Sequence, residues 1–172
     1  MELGLTWPLQ RYVKRQVPPG GTEADRRFCW DLHVIQLRGR ASLLAVHCYS
    51  RYTFVRFDLG PWEWADLSGT FSSGLGESLA AAGFSWGAAE GYFARAGTAA
   101  LTRTHGRREV AFLNRAWEDV LALDYCLAPA SEAQPLLDHA VNAKPSRCAA
   151  FPDLAPAADR LRDSLDRQAG LA

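Results

Sequence analysis

The sequence predicts an α+β fold: an antiparallel meander sheet of three to four strands with helices packed on one face. Three observations lead there. "CWDLHVIQLRG" alternates, with Trp30, Leu32 and Val34 on one side of a strand and Asp31, His33 and Ile35 on the other. "LLAVHCY" and "YTFVRFDLG" follow after short turns, a spacing that favours hairpin-connected neighbours. From Trp62 onward, apolar residues recur every three or four positions, the period of an amphipathic helix.

The elements read in order as follows. "LGLTWPLQRYVKRQV" begins extended and turns helical after Pro8, a residue tolerated in a first helical turn. "PPGGTEADRR" is a loop on its Pro and Gly content. In the third strand Tyr52, Phe54 and Arg56 oppose Thr53, Val55 and Phe57. Over 62–83 a helix carries Leu67, Phe71, Leu75 and Leu79 at steps of four, weakened by glycines at 69, 74 and 76. Ser85 is placed to cap a short helix, and "TAALTRT" reads as a fourth strand. The strongest helix is "GRREVAFLNRAWEDVLALDYCL", with Val110, Leu113, Trp117, Val120 and Leu121 on one stripe. A helix over 134–143 leads into "NAKPSRCAAFPDL", whose prolines imply irregular chain. The last helix opens near Asp153, with Leu154, Ala158, Leu161 and Leu165 on one face and an Asp163–Arg167 pair on the other.

A chain of 172 residues fits one domain, so 1–172 is read as a single α+β domain whose C-terminal helical segment, 131–172, packs back on the rest. The chain is 48% hydrophobic and 22% charged, a globular balance far from that of disordered chains. Nineteen basic and nineteen acidic side chains cancel, so no global field steers the protein to nucleic acid or an anionic membrane. The N-terminus has no apolar core behind its charges, and no apolar run is long enough to cross a bilayer. These features predict a cytoplasmic protein without a membrane. Cys29, Cys48, Cys126 and Cys148 lack CxxC spacing and are read as buried free thiols rather than disulfides.

No GxSxG, P-loop or HExxH motif is present. Asp31, His33 and His47 sit on neighbouring strands and would form an acid/base group if the hairpin register set the two histidines opposite each other. Two histidines and a carboxylate fall short of an ordinary metal site, so no metal and no cofactor is expected. "SRYTFVRF" interleaves aromatic and basic residues as nucleic-acid platforms do, but any half-buried strand shows the same alternation, and the net charge argues against it.

The stronger candidate is "LTRTHGRREVAFLNRAW". Arg103, His105, Arg107 and Arg108 gather at a helix start, where free N–H groups and the helix dipole already favour an anion. Asn114 lies two turns beyond Arg107 on the same side of the helix. That pair is read as a clamp on a loop such as "NAKPSRC", which leaves Arg103, His105 and Arg108 as the anion contacts. The function expected from these residues is a small binding module for an anionic small molecule or an acidic protein surface, with nucleic acid not favoured. The alternative is an enzyme on a phosphorylated or nucleic-acid substrate with His33, His47 or His105 as acid/base.

The early "LT", the Trp that opens the meander, "TRTHGRREVAFLN" before the long helix and the closing "NAKP…FPDL" are shared with a known pattern. On these motifs the chain resembles an uncharacterised bacterial domain family often found in plasmid and mobile-element contexts. The matching positions are Thr104, Arg107, Asn114, Asn142, Pro145 and Pro152, and the chain departs from the pattern at "HCYSRYT". The resemblance implies the same fold over most of the chain. Its context implies a component of a defence or plasmid-maintenance system, and it names no chemistry.

Overall fold

The computed structural model describes residues 1–18, 25–148 and 150–169. Its centre is a five-stranded mixed sheet in the order β4-β3-β2-β1-β5. Strand β1 (Glu2–Leu5) is followed by helix α1 (Trp7–Tyr12), then by β2 (Cys29–Leu37), β3 (Arg40–His47) and β4 (Thr53–Arg56). Helices α2 (Pro61–Ala65), α3 (Leu67–Ala81) and α4 (Trp86–Ala96) precede β5 (Ala100–Arg103). The chain continues through α5 (Arg107–Ala122) and α6 (Pro135–Ala143), the hairpin β6 (Pro145–Cys148) and β7 (Phe151–Pro156), and α7 (Ala157–Ala169).

The meander β2-β3-β4 is present and antiparallel. The three- to four-stranded antiparallel sheet is corrected by β1, which inserts between β2 and β5 and runs parallel to both. Four residues, all buried, carry no alternation to reveal that role; a strand covered on both faces loses its period-2 pattern.

Helices cover both faces of the sheet, not one. Leu3, Leu5, Trp30, Leu32, Leu43, Ala45 and Phe54 form a core with residues of α1 to α4 and α7. Ile35, Leu37, Leu44, Val46 and Val55 form a second core with Leu113, Ala116 and Val120 of α5 and Leu137 and Val141 of α6. The uninterrupted "LLAV" of β3 is the sequence trace of a strand buried on both sides.

Several boundaries also move. Asp66 ends α2 and caps α3, its Oδ1 accepting from Gly69 N at 2.9 Å. Gly74 lets α3 approach β4 closely, since a Cβ there would lie 2.8 Å from a Phe54 ring carbon. Leu121 is exposed, and Ala116 takes its place on the α5 stripe. The stretch expected to be irregular forms the β6–β7 hairpin, so Leu154 lies on an exposed strand position and the last helix begins at Ala157. The Asp163–Arg167 pair falls outside the described side chains, as does most of the "PPGGTEADRR" loop.

Strand β4 is one edge of the sheet, and α6 covers it with polar atoms instead of another strand. Asn142 Oδ1 accepts from Thr53 N at 2.8 Å, and Asn142 Nδ2 donates to Thr53 O and Asp138 O. Asp138 Oδ1 accepts from Val55 N at 2.9 Å, while Phe57 N donates to Glu132 O. An edge satisfied in this way offers no template for a further strand. Asn142→Ala would leave both Thr53 backbone groups buried and unpaired. The expected loss is about 1–3 kcal/mol in denaturant unfolding.

Asp138 is buried and also accepts from Ser78 Oγ at 2.9 Å. Burial pushes its carboxyl up to about 8, against the hydrogen bonds from Ser78 and Val55 and the charge of Arg56. A folded pKa above the unfolded one adds stability that is full below the unfolded value and disappears as pH rises through the folded value. Stability should therefore fall between about pH 4 and pH 8. In Asp138→Asn, whose amide can keep both partners, that fall should flatten, leaving the variant more stable at pH 8 by about 1–3 kcal/mol.

Candidate functional site

Strands β1 and β2 run parallel with Gly4 beside Asp31, and β1 pairs on its other side with β5, with Gly4 beside Thr102. Residues of one parity on these strands pack into the first core, so Glu2, Gly4, Cys29 and Asp31 share the α5 face. Cys48, just past β3, adds a thiol across the strand pair, where its N–H donates to Cys29 O at 3.0 Å. The turn from β5 into α5 then drops His105 among them.

The resulting cluster is fully enclosed. The His105 side chain has no exposed surface, and Glu2, Cys29, Asp31, Cys48 and Glu109 are all buried. His105 Nδ1 lies 2.7 Å from Asp31 Oδ1, and the same oxygen accepts from His105 N at 3.2 Å. His105 Nε2 lies 3.3 Å from Glu2 Oε2, and Cys48 Sγ lies 3.5 Å from Nδ1. Asp31 Oδ2 is buried with no hydrogen-bond partner among the described residues. Arg26 Nη2 donates to His105 O at 3.2 Å and closes the loop from outside.

Burial alone would strip the charge from His105, but Asp31, with the Cys29 and Cys48 thiols beside it, raises the imidazole to about 12. Burial raises Asp31, and His105 opposes that rise. The pair thus holds a proton within a low-dielectric pocket. Burial also pushes the Cys48 thiol to about 12, which makes it a poor nucleophile.

Of the residues singled out from sequence, Asp31 and His105 meet in this cluster, and the others do not reach it. Arg103, Arg107, Arg108 and Asn114 are exposed. Arg108 Nη2 donates to Glu109 Oε1 at 3.2 Å. Arg107 and Asn114 make no side-chain hydrogen bond among the described residues, so the expected clamp on "NAKPSRC" is not formed by them. That segment is held instead by Lys144 to Asp119, by Arg51 donating to Arg147 O, and by Arg160 donating to Ser146 O.

The histidines do not converge either. The β2–β3 register sets His47 opposite Trp30 and His33 opposite Leu44. His33 bonds Thr6 Oγ1 at 2.8 Å and stands edge-on to Trp117. His47 lies on the other face, against Trp30, bonded to Ser50 Oγ and Arg27 O. Burial lowers both, His47 to about 4, so each is a neutral core histidine.

Glu2, Gly4, Cys29 and Cys48 escaped the sequence reading of a site. Cys29 and Asp31 two apart on one strand signal a shared face, but nothing local indicates that β1 lies beside them.

Residues 2–150 match the model of a domain of unknown function, DUF6933, and the chain belongs to that family. No curated protein matches it. Among the described residues, no helix is long and apolar enough to cross a membrane.

A Cβ on Gly4 would collide with Asp31 Oδ1 and stand 2.9 Å from both His105 Nδ1 and the Thr104 Cα. Backbone on one side and an immobilised ion pair on the other leave no route for relief. Gly4→Ala should cost about 2–4 kcal/mol in chemical unfolding, as overpacking and a displaced buried pair combine.

Proposed function

We propose that this protein is a small cytoplasmic binding module that recognises an anionic ligand at the corner where β5 turns into α5, and that it is not an enzyme. One observation carries the reading. Gly106, the residue before α5, offers no side chain to cap the helix, while Arg103 and Arg107 stand exposed with no carboxylate partner among the described residues. The first turn of this sixteen-residue helix carries one carboxylate, Glu109, paired with Arg108, and the two guanidiniums left without a partner add to the helix dipole to favour an anion.

The rigid base of the corner supports the same reading. His105 is fixed by Asp31 through both its ring and its backbone N–H, so the loop presents its outer atoms in one arrangement. Binding to a preformed site loses little entropy. The cytoplasmic placement is supported by four free cysteines, three of them buried, since unpaired thiols suit a reducing compartment.

Thermal shift against pyrophosphate, nucleoside triphosphates and a short oligonucleotide tests the proposal. At least one should stabilise the protein in a salt-sensitive manner, by about 3 kcal/mol at a hundredfold excess over Kd. Arg103→Glu with Arg107→Glu should abolish the shift while leaving the ligand-free melting temperature nearly unchanged. No stabilisation by any of the three would overturn the proposal.

A further inference from the structure

We propose that the buried cluster beneath β1 is a Zn²⁺ site, with Asp31, Cys48 and His105 as ligands and Glu2 as the residue that orients the imidazole. This site lies beneath the exposed basic corner and shares His105 with it; the backbone N–H of His105 stays on Asp31 Oδ1 in either case, and metal binding does not require an anion at the corner. Three kinds of donor meet there from three parts of the chain: a strand carboxylate, a thiol past the next strand and a loop imidazole. The ligand atoms of Asp31, Cys48 and His105 all lie within 4.8 Å of one another.

The spacing suits that ion. Zinc bonds of about 2.3 Å to sulfur and about 2.0 Å to nitrogen place tetrahedral S and N ligands about 3.5 Å apart. Cys48 Sγ and His105 Nδ1 are separated by 3.5 Å. Asp31 supplies a spare oxygen: Oδ2 is enclosed and bonded to nothing among the described residues, while Oδ1 keeps the backbone N–H of His105. A buried carboxylate oxygen with no partner costs free energy unless something fills its lone pairs. A cation does so.

Glu2 completes the design. Its Oε2 lies 3.3 Å from His105 Nε2 and so accepts the Nε2–H, which leaves Nδ1 as the coordinating atom. A carboxylate behind a ligating histidine is the usual outer partner in zinc sites. Cys29, opposite Cys48 on the same face, belongs with Glu2 and His105 to a second group of donors and is not counted among the three ligands. On binding, the Cys48 thiol proton and the proton at His105 Nδ1 leave to solvent, as thiolate and neutral imidazole are the ligating forms. Zinc is chosen over calcium or magnesium because those ions take oxygen ligands, and a thiol with an imidazole is a softer set.

The experiment titrates Co²⁺ and then Zn²⁺ into the metal-stripped, reduced full chain. One equivalent of Co²⁺ should bind with a thiolate charge-transfer band and the visible bands of a tetrahedral ion, and Zn²⁺ should displace it. Cys48→Ser should lose or sharply weaken the charge-transfer band, and Asp31→Asn should reduce affinity at least about tenfold. Glu2→Gln should weaken binding by about 10- to 100-fold while retaining the band, the pattern of an orienting residue. Cys126→Ser, remote from the cluster, should bind as wild type does. A wild-type chain that gives no tetrahedral cobalt spectrum overturns the assignment, whatever the variants do. So does an undiminished spectrum in a folded Cys48→Ser protein.

Discussion

The carboxylate of Asp31 accepts both the backbone N–H and the imidazole of His105, and the rest of the sheet is arranged around that pair. Asp31, the third residue of β2, reaches under β1, so β1 can insert between β2 and β5 only because Gly4 carries no side chain there. It also fixes the one turn that feeds α5. The second core, where Leu113, Ala116 and Val120 of α5 meet β2 and β3, therefore starts from a polar anchor. Breaking one partner of such a pair leaves an uncompensated charge in a dry site, and this costs more than the intact pair contributes.

The same economy governs the edge of the sheet. Where β4 would expose its backbone, α6 turns Asn142 and Asp138 toward it, and Arg56 ties the strand to Glu77 of α3 and to Glu132. These are side-chain bonds doing what a sixth strand would do. The consequence is that α6 cannot be judged by its apolar face alone: Leu137 and Val141 pack into the core while the next positions satisfy backbone.

Much of this architecture was legible in the sequence, for reasons that also explain what was not. The meander was readable because 29–37 alternate and the turns are short, and α5 was readable from its apolar stripe. The position of β1 was not, because "ELGL" is four residues long and its partners lie 27 and 98 residues away in the register, Glu2 beside Cys29 and beside Ala100. Local patterns carry no information about pairing at such separations. The candidate site shows the same division. The basic helix start is visible because its residues, His105 among them, are nearly consecutive. That His105 turns inward while Arg103 and Arg107 turn out depends on the Asp31 bond, which no spacing rule contains. The grouping of His33 with His47 failed by register, since a shift of three residues along an antiparallel pair moves a side chain to the opposite face.

Asn142 and Pro145, singled out by family resemblance, have structural jobs, the first sealing β4 and the second opening β6. The family match ends at residue 150, yet the chain beyond it is bound into the same core. Leu161 and Leu165 of α7 pack in one core with Trp30, Leu75, Leu79 and Tyr92, so this helix covers the tryptophan at the centre of the sheet. Arg160 is buried beneath it, donating to Ser146 O within the matched region and to Asp153 O outside it. A guanidinium held between two carbonyls in this way stitches the hairpin to the helix. Trp30 stands next to Asp31 in the strand and faces away from it, so the cover on one face and the polar cluster on the other are fixed by one residue step of β2.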